Sequence, residues 1–119
     1  MKRILLAEDD LQIARLVKFK LEREGFAVEC VEDGETALQR VRQEPFDLVL
    51  LDVMIPGRDG FTVLSELRAD PKYCDLPIVM LTARATERDL RAGASATDYI
   101  VKPFDPAYLV EPVRAILGE

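Results

Sequence analysis

Four short apolar runs in this chain each end on a side chain that could do chemistry. Residues 4–7 lead into Glu8, Asp9 and Asp10, and residues 48–51 lead into Asp52. Residues 78–81 lead into Thr82, and residues 99–101 into Lys102. A carboxylate at the end of an apolar run is costly to bury unless something pairs with it. Carboxylates drawn within a few ångströms of one another repel by roughly 4 kcal/mol per pair at an effective dielectric of about 20. Left alone, one of them takes up a proton. A hard divalent cation removes the conflict. With oxygen donors and no histidine in the chain, Mg²⁺ or Mn²⁺ is the natural choice. A metal that keeps open positions, beside a lysine and a hydroxyl, suits a phosphoryl group. Lys102 can neutralise one phosphoryl oxygen and Thr82 can donate a hydrogen bond to another. Asp52 then reads as a nucleophile, since aspartate can carry a phosphoryl group as an acyl phosphate.

These residues meet only if the elements around them bring them to one place. Residues 3–7, 27–31, 47–51, 77–81 and 99–101 read as buried strands. Helical spacing of apolar residues runs through 11–24 (Ile13, Leu16, Val17, Leu21), 34–44 (Leu38, Val41), 61–69 (Phe61, Leu64, Leu67) and 106–117 (Leu109, Val110, Val113, Ile116, Leu117). A weaker helical pattern covers 87–93. Strands alternating with helices predict an α/β domain with a parallel sheet, and near-continuous apolar strands predict helices on both faces. Ligands of such open sheets bind beyond the carboxyl ends of the strands, where the strand order reverses. In a flavodoxin-like, doubly wound sheet of order 2-1-3-4-5, that point lies between the first and third strands, which carry Glu8, Asp9 and Asp52.

Bulk properties narrow the function. The chain has 119 residues, 49% hydrophobic and 32% charged, which predicts one globular domain over 1–119 without an output domain. A net charge of −6 argues against a nucleic-acid surface and against docking on anionic lipid. The apolar runs are too short to span a bilayer or to serve as a signal peptide. Cys30 and Cys74 are far apart in sequence and read as reduced thiols of a cytoplasmic protein. The absence of histidine excludes Ser-His-Asp chemistry and a phosphohistidine carried by this chain.

Over almost its whole length the sequence resembles the receiver domain of bacterial two-component response regulators, of chemotaxis and transcription-factor type. The resemblance rests on four segments in order: "ILLAEDD", "LVLLDVMIPGRDG", "IVMLTA" and "YIVKPF". It implies a signalling switch, not a metabolic enzyme. Asp52 would accept a phosphoryl group from a phosphohistidine on a sensor histidine kinase or phosphotransfer protein. Asp9 would ligate Mg²⁺ directly, Glu8 partly through water, and the main-chain carbonyl of Met54 would join Asp52 as a further ligand. Lys102 would contact the phosphoryl group, Thr82 would swing toward it, and Tyr99 would move inward. The Lys102–Pro103 bond would be cis. Met54 and Arg84, two residues beyond Asp52 and Thr82, would tune dephosphorylation; neither offers a base for water, so slow decay is expected. The output partner is left open, and the chain would be a monomer or a phosphorylation-dependent dimer.

Rival readings fit less well. An aspartate-based phosphohydrolase needs an acid two residues beyond its nucleophile, and Met54 cannot serve. A flavin carrier of the same fold would have a Ser/Thr/Gly-rich loop where this chain has "EDD". A degenerate receiver acting as an interaction module would not need the full set of acids, Thr82 and Lys102. Two features depart from the family. Residues 82–102 are short and poor in apolar anchors, which predicts a shortened fourth helix. Pro112 lies six residues beyond Pro106, where an ordinary helix interior would lose about 3 kcal/mol, and predicts a kinked fifth helix, bent near Tyr108.

Overall fold

In a computed structural model, residues 1–83 and 95–119 are described. Five parallel strands, β1 (Arg3–Ala7), β2 (Ala27–Val31), β3 (Leu48–Asp52), β4 (Ile78–Thr82) and β5 (Asp98–Val101), form one sheet in the order β2-β1-β3-β4-β5. Four α-helices are present among the described residues: α1 (Leu11–Arg23), α2 (Gly34–Gln43), α3 (Gly60–Ala69) and α4 (Val110–Leu117). The helix expected over 87–93, and Arg84, lie outside the described residues.

Alternation along the strands builds a core on each face. Leu5, Ala7, Val49, Leu51, Ile78 and Met80 pack with Ala37, Leu38 and Val41 of α2 and Val63, Leu64 and Leu67 of α3. Ile4, Leu6, Leu48, Leu50, Val79 and Leu81 point the other way. They meet Ala14, Val17 and Leu21 of α1 and Leu109, Val110 and Val113 at the C-terminal end. Both faces of the sheet are therefore covered, and this is why its central strands read as unbroken apolar runs. Leu16, expected inward, is 58% exposed. Ala14, Val17 and Leu21 define the buried stripe, and Ala14 allows α1 to sit close to the sheet.

Helix starts follow local capping chemistry. Asp10 accepts from the N–H groups of Gln12 and Ile13 at 3.0 and 3.3 Å. Asp33 caps α2 through Thr36 N–H at 2.7 Å, and Asp59 caps α3 through Thr62 N–H at 2.9 Å. The C-terminal segment changes from 3₁₀ to α geometry beside Tyr108, and this is how it accommodates Pro112. Residues Pro106–Leu109 form a 3₁₀ turn, and α4 begins only at Val110. Pro112 is then the third residue of a helix, not a residue of its interior. The first N–H groups of a helix have no intrahelical acceptor, so proline removes no hydrogen bond there.

Register sets the site. Ala7 pairs with Leu51, Asp52 with Leu81, and Thr82 with Val101. One residue past Ala7, Glu8 comes level with Asp52. Lys102, one residue past Val101, follows the same edge.

Candidate phosphoryl and metal site

Asp52 is the last residue of β3 and is buried, as are Glu8 and Thr82. Asp9 is exposed. Carboxylate oxygens of Glu8, Asp9 and Asp52 lie within 4.8 Å of one another. Lys102 reaches across from β5: its Nζ donates to Asp52 Oδ2 at 2.9 Å and also to Glu8 Oε1. The other oxygen of Asp52, Oδ1, accepts the N–H of Met54 at 3.0 Å. Both oxygens of the carboxylate are thus held, and its plane is fixed. Glu8 Oε2 accepts the N–H of Asp10 at 3.2 Å.

Electrostatics follow from this crowding. Burial pushes the Glu8 carboxyl up to about 7, assisted by its contact with Asp52 and opposed by Lys102. Burial works against the charge of Lys102, yet its bonds to Glu8 and Asp52 outweigh burial and raise its pKa. Three carboxylates and one ammonium sum to −2 when all are ionised. An all-oxygen donor set with that charge fits a hard divalent cation. Glu8, Asp9 and Asp52 are the side chains that would hold it.

The wall of the site is the turn after β3. Pro56 precedes Gly57, whose φ of +76° lies in the left-handed region that glycine adopts without strain. At the end of the turn, Gly60 opens α3. A Cβ there would fall 2.5 Å from the carbonyl oxygen of Asp52, so only glycine lets α3 start against the end of β3. Sequence reasoning did not assign this role, although the glycine closing "PGRDG" was its signal. The Met54 side chain is 70% exposed beside the site. Tyr99 is half-buried and packs on the α2–α3 side of the sheet. The Lys102–Pro103 bond is cis. Beyond it, a groove of about 340 Å³ runs between Ile13 and Leu16 of α1 and Pro103, Phe104 and Pro106. Of the residues expected to act together, Glu8, Asp9, Asp52 and Lys102 converge directly. Thr82 ends the neighbouring strand, and Tyr99 lies three residues before Lys102 on β5.

The family model of the response regulator receiver domain matches residues 4–114. The chain belongs to this family. Among solved structures, the receiver is similar to a response regulator of Thermotoga maritima, in complex with Mg²⁺ and BeF. Identity there is 37% and the TM-score 0.88, covering 98% of this chain and 99% of that one. A chemotaxis response regulator of Vibrio cholerae shares 30% identity with a TM-score of 0.91, covering 98% of each chain. The receiver domain of a Pseudomonas aeruginosa sensor histidine kinase, with a magnesium ion in its active-site cleft, shares 32% identity. Its TM-score is 0.89, over 99% of this chain and 98% of that chain. No helix among the described residues is long and apolar enough to cross a membrane.

Proposed function

We propose that this receiver is a phosphorylation-activated switch in which Asp52 is the phosphoacceptor. The observation that carries this reading is the placement of Asp52. It is buried at a strand end, aligned by Met54 N–H and Lys102, with the oxygens of Glu8 and Asp9 within 4.8 Å. An Asp52 oxygen attacks phosphorus, the phosphorus–nitrogen bond of a phosphohistidine breaks, and an acyl phosphate forms. Lys102 moves with the new charge and balances a phosphoryl oxygen. Mg²⁺, for which Mn²⁺ can substitute, supplies positive charge against the phosphoryl oxygens when held by Glu8, Asp9, Asp52 and the Met54 carbonyl. The Thr82 hydroxyl, at the end of β4, is the donor for a second phosphoryl oxygen, and Tyr99 follows it inward. A phosphate that binds one of two conformations better shifts their populations by that difference in affinity.

The donor is a histidine kinase or phosphotransfer protein. The apolar groove beside Lys102, lined in part by exposed Leu16, offers such a partner a surface next to the lysine that bonds Asp52. The domain turns over no metabolite; it catalyses its own phosphorylation and its slow dephosphorylation in the cytoplasm. Neither the Met54 side chain nor Arg84 provides a base to activate water. Incubation with acetyl phosphate and Mg²⁺ should incorporate one acid-labile phosphate, and Asp52→Asn should abolish it. Stoichiometric labelling of Asp52→Asn would remove Asp52 as acceptor. No labelling of the wild type, together with no binding of beryllofluoride, would leave a protein-interaction module as the reading.

A further inference from the structure

Arg58 lies outside the carboxylate cluster, yet it fastens the loop that walls it. Residues 53–59 leave β3 and return into α3, closed at the base by Gly60 N–H donating to Val53 O at 3.0 Å. At the tip, the Pro56 carbonyl accepts the N–H of Gly34, the first residue of α2, at 3.1 Å. A Cβ on Gly34 would fall 1.8 Å from the Arg58 carbonyl oxygen, so loop backbone and helix backbone touch with no room for a side chain. The Arg58 guanidinium then binds both neighbouring helices. Its Nε donates to Glu35 Oε2 of α2 at 2.7 Å, and its Nη1 donates to Glu66 Oε1 of α3. The second oxygen of Glu66 is buried without a hydrogen-bond partner, which leaves Arg58 as its compensating charge among the described residues. A planar guanidinium can hold two carboxylates at once in a fixed fork; a lysine ammonium is a single point charge.

We propose that Arg58 is a positioning residue for the phosphoryl and metal site: it latches the 53–59 loop to α2 and α3 and so holds the Met54 backbone in place beside Asp52. The proposal rests on the reading that Met54 and the three carboxylates serve Mg²⁺. Met54 is four residues from Arg58 and already donates its N–H to Asp52. A loop released from both helices loosens that N–H and the Met54 carbonyl together. The two ion pairs are partly exposed, with side-chain exposures of 42% and 55% in one and 42% and 34% in the other. Their loss therefore falls on local order more than on global stability.

Three variants, Arg58→Ala, Arg58→Lys and Glu35→Gln, test this in the full chain by urea unfolding, Mg²⁺ titration and amide hydrogen exchange. In Arg58→Ala the exchange of the Met54 and Gly60 amides should rise about tenfold in metal-free protein, ahead of any change in the β1 amides. The Mg²⁺ dissociation constant should rise about fivefold, the size that surface ion pairs allow. Arg58→Lys should recover part of both effects, and Glu35→Gln should show a fraction of them even if Arg58→Ala fails to fold. Unchanged Mg²⁺ affinity in a folded Arg58→Ala, or unchanged Met54 and Gly60 exchange, would overturn the latch. If the wild type bound no Mg²⁺, the proposed function would fall, while exchange in metal-free protein would still decide whether Arg58 orders the loop.

Discussion

Raising the pH of the metal-free protein should weaken its fold, and Glu8 sets the size of the effect. Its carboxyl titrates at about 7 in the folded chain against an ordinary 4.5. Between those values the native state holds a proton that the unfolded state has lost, so stability falls as pH rises. The interval corresponds to about 3 kcal/mol at most. Among the described residues, the other groups with displaced pKa values lie outside this window. Glu24, held down by Lys20 and Arg114, and Glu29, held down by Arg40, add stability that is complete above 4.5. Lys102, raised from 10.5, contributes stability that is lost only in the alkaline range. Burial raises the Cys30 thiol from 9.0, and the chain has no histidine. Urea unfolding followed by circular dichroism in EDTA, between about pH 5 and pH 8, should therefore show a falling free energy that levels off above pH 7. Glu8→Gln should remove the slope. Excess Mg²⁺ should flatten it, because ligands must ionise to bind and the metal-bound native state then holds no proton on Glu8; at a hundredfold excess over the dissociation constant the metal adds about 2.7 kcal/mol. Flat or rising stability in EDTA, or a slope that survives in Glu8→Gln, would refute the charge assignment.

Lys102→Met strands Glu8 and Asp52 without their cation. Metal-free protein should lose about 3 kcal/mol near pH 8, and less near pH 5 where Glu8 is protonated, measured by the same unfolding series. The same variant should bind Mg²⁺ more tightly, because the site becomes more negative; titration showing weaker binding would contradict that. Gly60→Ala places a methyl 2.5 Å from the Asp52 carbonyl oxygen and should cost about 2–3 kcal/mol, read as a lower urea midpoint at constant slope.

The meeting of the strand-end side chains was legible because Glu8, Asp52, Thr82 and Lys102 each directly follow an apolar run, and parallel register converts that sequence position into a common edge in space. The ranking of the acids was not legible. Glu8 and Asp9 are adjacent and chemically alike, yet one is buried and the other exposed. The difference arises from the pleat: β1 alternates between the two cores, and whichever residue follows Ala7 inherits the direction that Lys102 and Asp52 share. Leu16 shows the same limit on a helix. Its spacing suits the buried stripe, but Ala14 takes that place, because close approach to the sheet outweighs side-chain size. Pro112 was legible as a breaker but not as a first-turn residue, since nothing local marks Val110 rather than Pro106 as the helix start. Arg58 was legible only as part of a turn; its partners Glu35 and Glu66 stand 23 and 8 residues away and meet through tertiary packing.

The acidic cluster persists because the backbone gives it no way to relax. Hydrogen bonding continues one residue beyond the strands at three points: Glu8 N–H to Val31 O at 3.0 Å, Val53 N–H to Leu81 O at 3.0 Å, and Lys102 N–H to Thr82 O at 2.7 Å. The residues that carry or flank the reactive side chains are therefore clamped by the sheet itself. Separating the carboxylates would break ladder bonds at the centre of a five-stranded sheet, each worth about 1 kcal/mol net and more when a buried group is left unpaired. Repulsion among Glu8, Asp9 and Asp52 is then relieved by moving charge and not backbone: a proton on Glu8, the ammonium of Lys102, or a divalent cation. Only the last leaves Asp52 ionised while freeing Lys102 to follow a phosphoryl group. In the switch proposed for Asp52, this clamped geometry is the physical reason for the acceptor to require a metal and to respond to phosphate, and it predicts a metal-free domain weakened at neutral pH.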